Sequence, residues 1–116
     1  MIKDQTYPKE YRLLKPSDYQ MVYKKGKWAA NRELSANFIR HENSFSRLGT
    51  TVSKKVSKRA VDRNRIKRQF REWFRRNKQA GHSIDIVLTA KPSLNAKSNI
   101  EIQRSLEDLW RKVQKK

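Results

Sequence analysis

SKKVSKRAVDRNRIKRQFREWFRR, residues 53–76, is the stretch on which the fold turns. Read as one α-helix at about 100° per residue, it places Ile66, Phe70, Trp73 and Phe74 on one arc, the i, i+4, i+7, i+8 spacing of a stripe that faces a core. Arg65, Lys67, Arg68, Arg71, Arg75 and Arg76 sweep the rest of the circumference. The stretch holds eleven Lys or Arg against Asp62 and Glu72, and so carries +9 of the chain's net +18. A solvated helix exterior normally mixes signs in Glu to Lys pairs one turn apart; here only Glu72 interrupts the basic face. A surface this cationic repels itself until a polyanion neutralises it, and nucleic acid is the polyanion such a protein meets. The segment therefore predicts a phosphate-binding rod of roughly 30 Å, anchored in its own core along one face.

Outward from the rod, Ser57 is the predicted cap, the helix runs to about Lys78, and Gly81 in QAGHS stops it. Leu34–His41 and Arg47–Ser53 read as strands, the second alternating Leu48, Thr50, Val52 with Arg47, Gly49, Thr51, with HENSFS as the turn between them. After the rod, IDIVLTA (84–90) is a short, nearly continuous apolar run, as a central strand buried on both faces requires. KPSLNAKSN follows as a loop. Ser98 and Glu101 then form a capping box that opens a last helix with Ile102, Leu106, Leu109, Trp110 and Val113 on one face. Towards the start of the chain, a short helix is predicted over 17–25, with Ser17 and Gln20 as a second capping box, Tyr19, Val22 and Tyr23 on one side, and Gly26 as the stop. Residues 1–15, punctuated by Pro8 and followed by Pro16, read as an irregular arm. Strand, basic helix, strand implies a parallel pairing across a helical crossover, hence one α/β sandwich.

At 116 residues the chain is one domain, able to bury about two thirds of its unfolded surface. With no cysteine, disulfides, cysteine-based zinc sites and thiol catalysis are excluded. No apolar leader and no run of about eighteen apolar residues is present, so a cytoplasmic protein that does not span a membrane is expected. The two histidines, His41 and His82, lack a carboxylate or second histidine at ligand spacing and read as surface turn residues. Three scattered glycines make no phosphate loop, and the acids, among them Glu101, Glu107 and Asp108, form no two-metal nuclease pair. Tyr19 and Tyr23, one helical turn apart, suit either a core contact or the stacking of unpaired bases.

The run KKVSKRAVDRNRIKRQFREWF, with Arg63, Asn64 and Arg65 followed by Lys67 and Arg68, resembles the RNR signature of the protein subunit of bacterial ribonuclease P. RLLKPSDYQMVYKKG and RLGTTVSKK ahead of it, and IDIVLTAKP and SLEDLWRKV behind it, extend the resemblance over about residues 11–113 in the right order and spacing. The resemblance implies a single domain over 1–116 with the ribosomal protein S5 domain 2-like fold. That is an α+β sandwich with a mostly antiparallel four-stranded sheet, about three helices and a left-handed βαβ crossover, against the usual handedness. It implies that Arg63, Asn64, Arg65, Lys67, Arg68 and Arg71 bind a catalytic RNA subunit. It also implies that Tyr19, Tyr23, Lys54 and Lys55 line a cleft for the single-stranded 5′ leader of precursor tRNA. Catalysis and Mg²⁺ then belong to the RNA, with one protein monomer per RNA and no catalytic residue in the protein. The chain departs from the family at two places: Tyr stands at 19 and 23 where Phe is common, and Asn37 stands where some relatives place an aromatic, with Phe38 predicted on the opposite face.

Composition alone also suits a ribosomal-type structural RNA-binding protein, and the ordered resemblance decides against it. A stand-alone nuclease lacks its carboxylate cluster. A DNA major-groove helix would have only Asn64 to read bases.

Overall fold

Strand IDIVLTA lies where its composition demands, in the middle of the sheet. The structure, a computed structural model, describes residues 12, 13, 15–41, 46–77 and 83–116. Its elements run α1 (Pro16–Lys25), β1 (Lys27–Ala30), β2 (Leu34–Arg40), β3 (Arg47–Thr51), α2 (Ala60–Asn77), β4 (Ile84–Ala90), a 3-10 helix (Pro92–Ala96) and α3 (Asn99–Gln114). The strand order is β1-β2-β4-β3. The β1–β2 and β2–β4 pairs are antiparallel, and β3–β4, joined through α2, is parallel. This is the α+β fold expected, with four strands, three α-helices and the basic helix as the crossover.

The pleat sorts side chains between two unequal cores. On one face Leu34, Ala36 and Phe38 of β2 and Ile84, Ile86 and Leu88 of β4 pack against Ile66, Phe70, Trp73 and Phe74 of α2 and the predicted stripe of α3. Trp110 is partly buried and meets the Trp73 ring edge-on at 5.4 Å. Trp73 also donates its indole N–H to Glu107 at 3.0 Å, satisfying the one polar atom that its burial would strand. On the other face a small cluster of Leu13, Val22 and Val87, with Tyr19 and Ile39 against it, holds α1.

Helix ends obey local chemistry, with two corrections. Ser98 accepts from the Glu101 N–H at 3.2 Å while Glu101 accepts from the Ser98 N–H at 2.8 Å, so the predicted capping box is formed. Those bonds hold the Glu101 carboxyl below its ordinary range. The box predicted at Ser17 and Gln20 is not formed. Pro16, with φ preset for the first helical turn, starts α1 with Lys15 as its uncapped N-terminal residue. Ser57 does not cap α2 either: its hydroxyl donates to Asp62 at 2.9 Å and accepts from Arg59 N–H at 3.2 Å, and the helix begins three residues later. Gly26 ends α1 as predicted, because a Cβ there would lie 2.5 Å from the Phe38 carbonyl oxygen; its backbone is extended, not left-handed.

β1 is not foreseen from residue patterning, nor is the 3-10 helix in the predicted loop. Strands β2 and β3 end one and two residues sooner than predicted. The arm is not wholly irregular, since Arg12 bridges Leu48 in parallel and Leu13 is buried. Residues 1–11 and 14 of the arm, most of the HENSFS turn and the Gly81 stop lie outside the described residues, as does His82.

Candidate RNA-binding surfaces

α2 turns a sequence of seven Lys or Arg and two acids into a directional surface. Its buried stripe fixes the helix about its axis, which leaves Asn64, Arg68, Arg71 and Arg76 exposed and Arg63, Arg65, Lys67 and Arg75 partly so. Two of the signature arginines also hold the protein together. Arg63 donates to the Ser57 carbonyl at 2.9 Å, tying the approach to α2 onto its first turn. Arg65 donates to the Asn99 side chain at 2.7 Å and to the carbonyls of Lys97 and Asn95 at 3.2 and 3.3 Å, clasping the start of α3. Their guanidinium groups are thereby held in place on the surface. Further along, Arg75 pairs with Glu72 at 2.5 Å, which raises the arginine and lowers the carboxyl from their ordinary values, and Arg76 bonds Gln103 of α3.

On the opposite face, beside α1, part of the sheet stays open. Cross-strand partners share a face, so the register gives two rows across the sheet on the α1 side: Trp28–Asn37–Val87–Gly49 and Ala30–Ser35–Thr89–Thr51. The second row is built of small, partly exposed residues, and all but Ala30 carry a hydroxyl. Tyr19 rests its ring end over Gly49, where any Cβ would come within 2.8 Å of it. Burial raises the Tyr19 phenol above its ordinary value, and a hydrogen bond with the Thr50 backbone partly offsets that. Tyr23, one turn on, is 46% exposed. Beyond β3, a turn closed by Val56 N–H to the Ser53 carbonyl at 3.0 Å presents Lys54 and Lys55 to solvent. Of the predicted cleft residues, Tyr19 and Tyr23 lie on α1 over this face, while Lys54 and Lys55 follow β3 in a turn whose neighbours Val52 and Val56 are buried in the other core; Phe38 is buried on that other side too, as its position next to Asn37 required.

Two features escape a reading of the sequence. Trp28 is 57% exposed and stands directly opposite Asn37. At the far end of the same face, Asp85 is only 6% exposed and is hydrogen-bonded to His41 Nε2 at 2.9 Å. It also accepts two bonds from Arg47, at 3.1 and 2.7 Å, while Arg47 faces Asp18 of α1 at 3.7 Å. Its bond to Asp85 raises Arg47 above the ordinary arginine range. His41 is therefore no bare turn residue: a carboxylate 44 positions away holds its ring.

Among the described residues no helix is long and apolar enough to cross a membrane. The family model described as Ribonuclease P matches residues 7–114. The chain is 41% identical to the ribonuclease P protein component of Idiomarina loihiensis, over all of this chain and 94% of that one. It is 34% identical to that of Thioalkalivibrio sulfidiphilus, over 97% and 94%. Among solved structures, the RNase P protein of Staphylococcus aureus superposes with a TM-score of 0.83 at 36% identity, covering 89% of this chain and 94% of that one. The RNase P protein from Thermotoga maritima gives 0.75 at 31%, covering 84% and 93%. A family match over nearly the whole chain, full-length relatives and a shared fold agree with the basic helix and its RNR sequence, and the chain belongs to the family of ribonuclease P protein components.

Proposed function

We propose that this protein docks on a catalytic ribonuclease P RNA through α2 and holds the 5′ leader of precursor tRNA in the groove beside α1. It thereby assists endonucleolytic removal of the leader. The observation that carries this reading is the placement of the two surfaces on opposite sides of one sheet. A cationic helix locked by its buried stripe lies on one side, and the two tyrosines of α1 beside an open polar strip of sheet lie on the other. One protein monomer in the cytoplasm is then able to touch ribozyme and substrate at once.

Each surface acts by a simple physical effect. Lys67, Arg68 and Arg71, with Arg63 and Arg65 held by their carbonyl partners, neutralise phosphates that would otherwise repel one another in a folded RNA, and Asn64 adds an uncharged amide able to hydrogen-bond beside them. Tyr19 and Tyr23 offer ring faces to unpaired bases, and Lys54 and Lys55 attract the backbone leaving them. A mature tRNA has no leader to gain from these contacts, so the groove favours substrate over product. Among the described residues no group of three or more His, Asp or Glu side chains converges as a resident metal would need. The Mg²⁺ ions that activate water belong in this reading to the RNA subunit, and the protein's own residues bind and orient.

The test is cleavage of a precursor tRNA at low Mg²⁺ by this protein, by a bacterial ribonuclease P RNA, and by both. Cleavage at the leader junction that needs the RNA and is strongly enhanced by the protein is the expected result. Cleavage by the protein alone, or no enhancement, overturns the reading.

A further inference from the structure

Tryptophan joins a large apolar ring to a polar N–H, the kind of side chain that serves binding surfaces, and Trp28, more than half exposed, stands on the face that carries the groove. It is the ladder partner of Asn37. The row Trp28–Asn37–Val87–Gly49 runs from one edge of the sheet to the other. Tyr19 covers Gly49 at one end, and Trp28 occupies the other, roughly 14 Å away across three strand spacings. α1 travels in the same direction, because its last residue gives way to Gly26, which lies against the Phe38 carbonyl of β2. Tyr23 is therefore set between the two ends, and three rings are spaced across one open face.

We infer that Trp28 is a third stacking platform of the groove, taking a splayed nucleobase of the unpaired RNA and adding from β1 a ring beside Asn37. The inference rests on the leader-groove reading above and extends it by one base site at the β1 edge. Tryptophan presents the largest ring face of any side chain, and two torsions suffice to orient it, so it takes a base of any identity at small entropic cost. The floor beside it favours a backbone threading past: Ser35 and Thr89 are partly exposed hydroxyls on the same face, with Ala30 adding no bulk. The other tryptophans are unavailable for such a role, Trp73 being 2% exposed and Trp110 packed against it.

The test uses the holoenzyme reconstituted with ribonuclease P RNA and compares affinities for precursor and mature tRNA in Trp28→Ala, Trp28→Phe and Tyr23→Ala, with unfolding curves to verify that each variant folds. Trp28→Ala is expected to lower the preference for precursor by about fivefold or more, the lower end of what one base stack contributes. Trp28→Phe should retain most of it. Intrinsic fluorescence of the wild type should quench on adding a single-stranded oligoribonucleotide, and that quenching should vanish in Trp28→Phe. If Trp28→Ala leaves the preference intact while Tyr23→Ala lowers it, the Trp28 site is overturned and the groove stands. If neither variant moves it, the groove reading itself falls. A wild type that sediments as a dimer and becomes a monomer on Trp28→Ala would make this ring a contact between two copies, which also overturns the proposal.

Discussion

The two faces of the sheet are held by different forces, and the difference separates folding from binding. The face under α2 and α3 is closed by a broad apolar core containing Trp73, Phe70 and Phe38. The face under α1 carries, among the described residues, a small buried apolar cluster of Leu13, Val22 and Val87, with the charged cluster of Asp18, Arg47, Asp85 and His41 at one end and rings over a polar floor at the other. Stability is concentrated on the first face, so the second is free to keep side chains that serve a ligand.

That division is broken most severely by Phe70→Ala. It should cost about 3–5 kcal/mol in denaturant unfolding, as removing a large ring from a closed core does. Next comes Asp85→Ala, which strips Arg47 and His41 of their shared acceptor. Because Arg47 is partly exposed, the expected loss is about 1–3 kcal/mol, with a salt dependence that Phe70→Ala lacks. Tyr23→Ala should sharpen the contrast by leaving unfolding within about 0.5 kcal/mol of wild type while weakening precursor tRNA binding by about 1 kcal/mol or more. Equal loss for mature tRNA would count against the groove. The smallest effect concerns Tyr19, whose pKa lies above the ordinary value of 10.0 because burial disfavours the phenolate. A pKa raised by folding adds stability that is intact below the unfolded value and lost as pH rises through the folded one. Wild type should therefore lose slightly more stability than Tyr19→Phe above about pH 10, read from unfolding midpoints across that range.

The basic helix admits a comparison of its own. Replacing Lys67 and Arg68 should lower the slope of log affinity for the RNA subunit against log salt by about 0.7 to 0.9 for each phosphate left without its cation. Arg65→Ala confounds that measurement, since the side chain also holds Asn99 and the carbonyls of Asn95 and Lys97.

What is legible in the sequence follows from how far apart the causes lie. Ile66, Phe70, Trp73 and Phe74 announce their shared face because helical period is a local property, and so is the box of Ser98 and Glu101. The apolar run of β4 declares burial on both sides, yet the same run conceals Asp85, whose partners are 38 and 44 positions away. β1 is four residues, too short for alternation to register. Its sign is Asn31, whose side-chain oxygen accepts from the N–H groups of Glu33 and Leu34 at 3.1 and 3.0 Å and turns the chain back into β2. Without β1 there is no way to place Trp28 beside Asn37. Ser57 and Ser17 mislead for opposite reasons: the first spends its hydroxyl on Asp62 and Arg59 before the helix begins, and the second comes after Pro16 has already started one.

The bridge between Arg12 and Leu48 has a consequence for solubility. A sheet has two outer edges, and each is a template on which another polypeptide could polymerise. Along β3 the template is interrupted, because Leu13 donates its N–H to the Leu48 carbonyl at 3.0 Å. Along β1 it is merely brief, four residues that open on Lys27 and follow Lys24 and Lys25. A chain made before its RNA is at hand thus has a guarded margin on one side and a short, charged one on the other, which disfavours fibrous self-assembly.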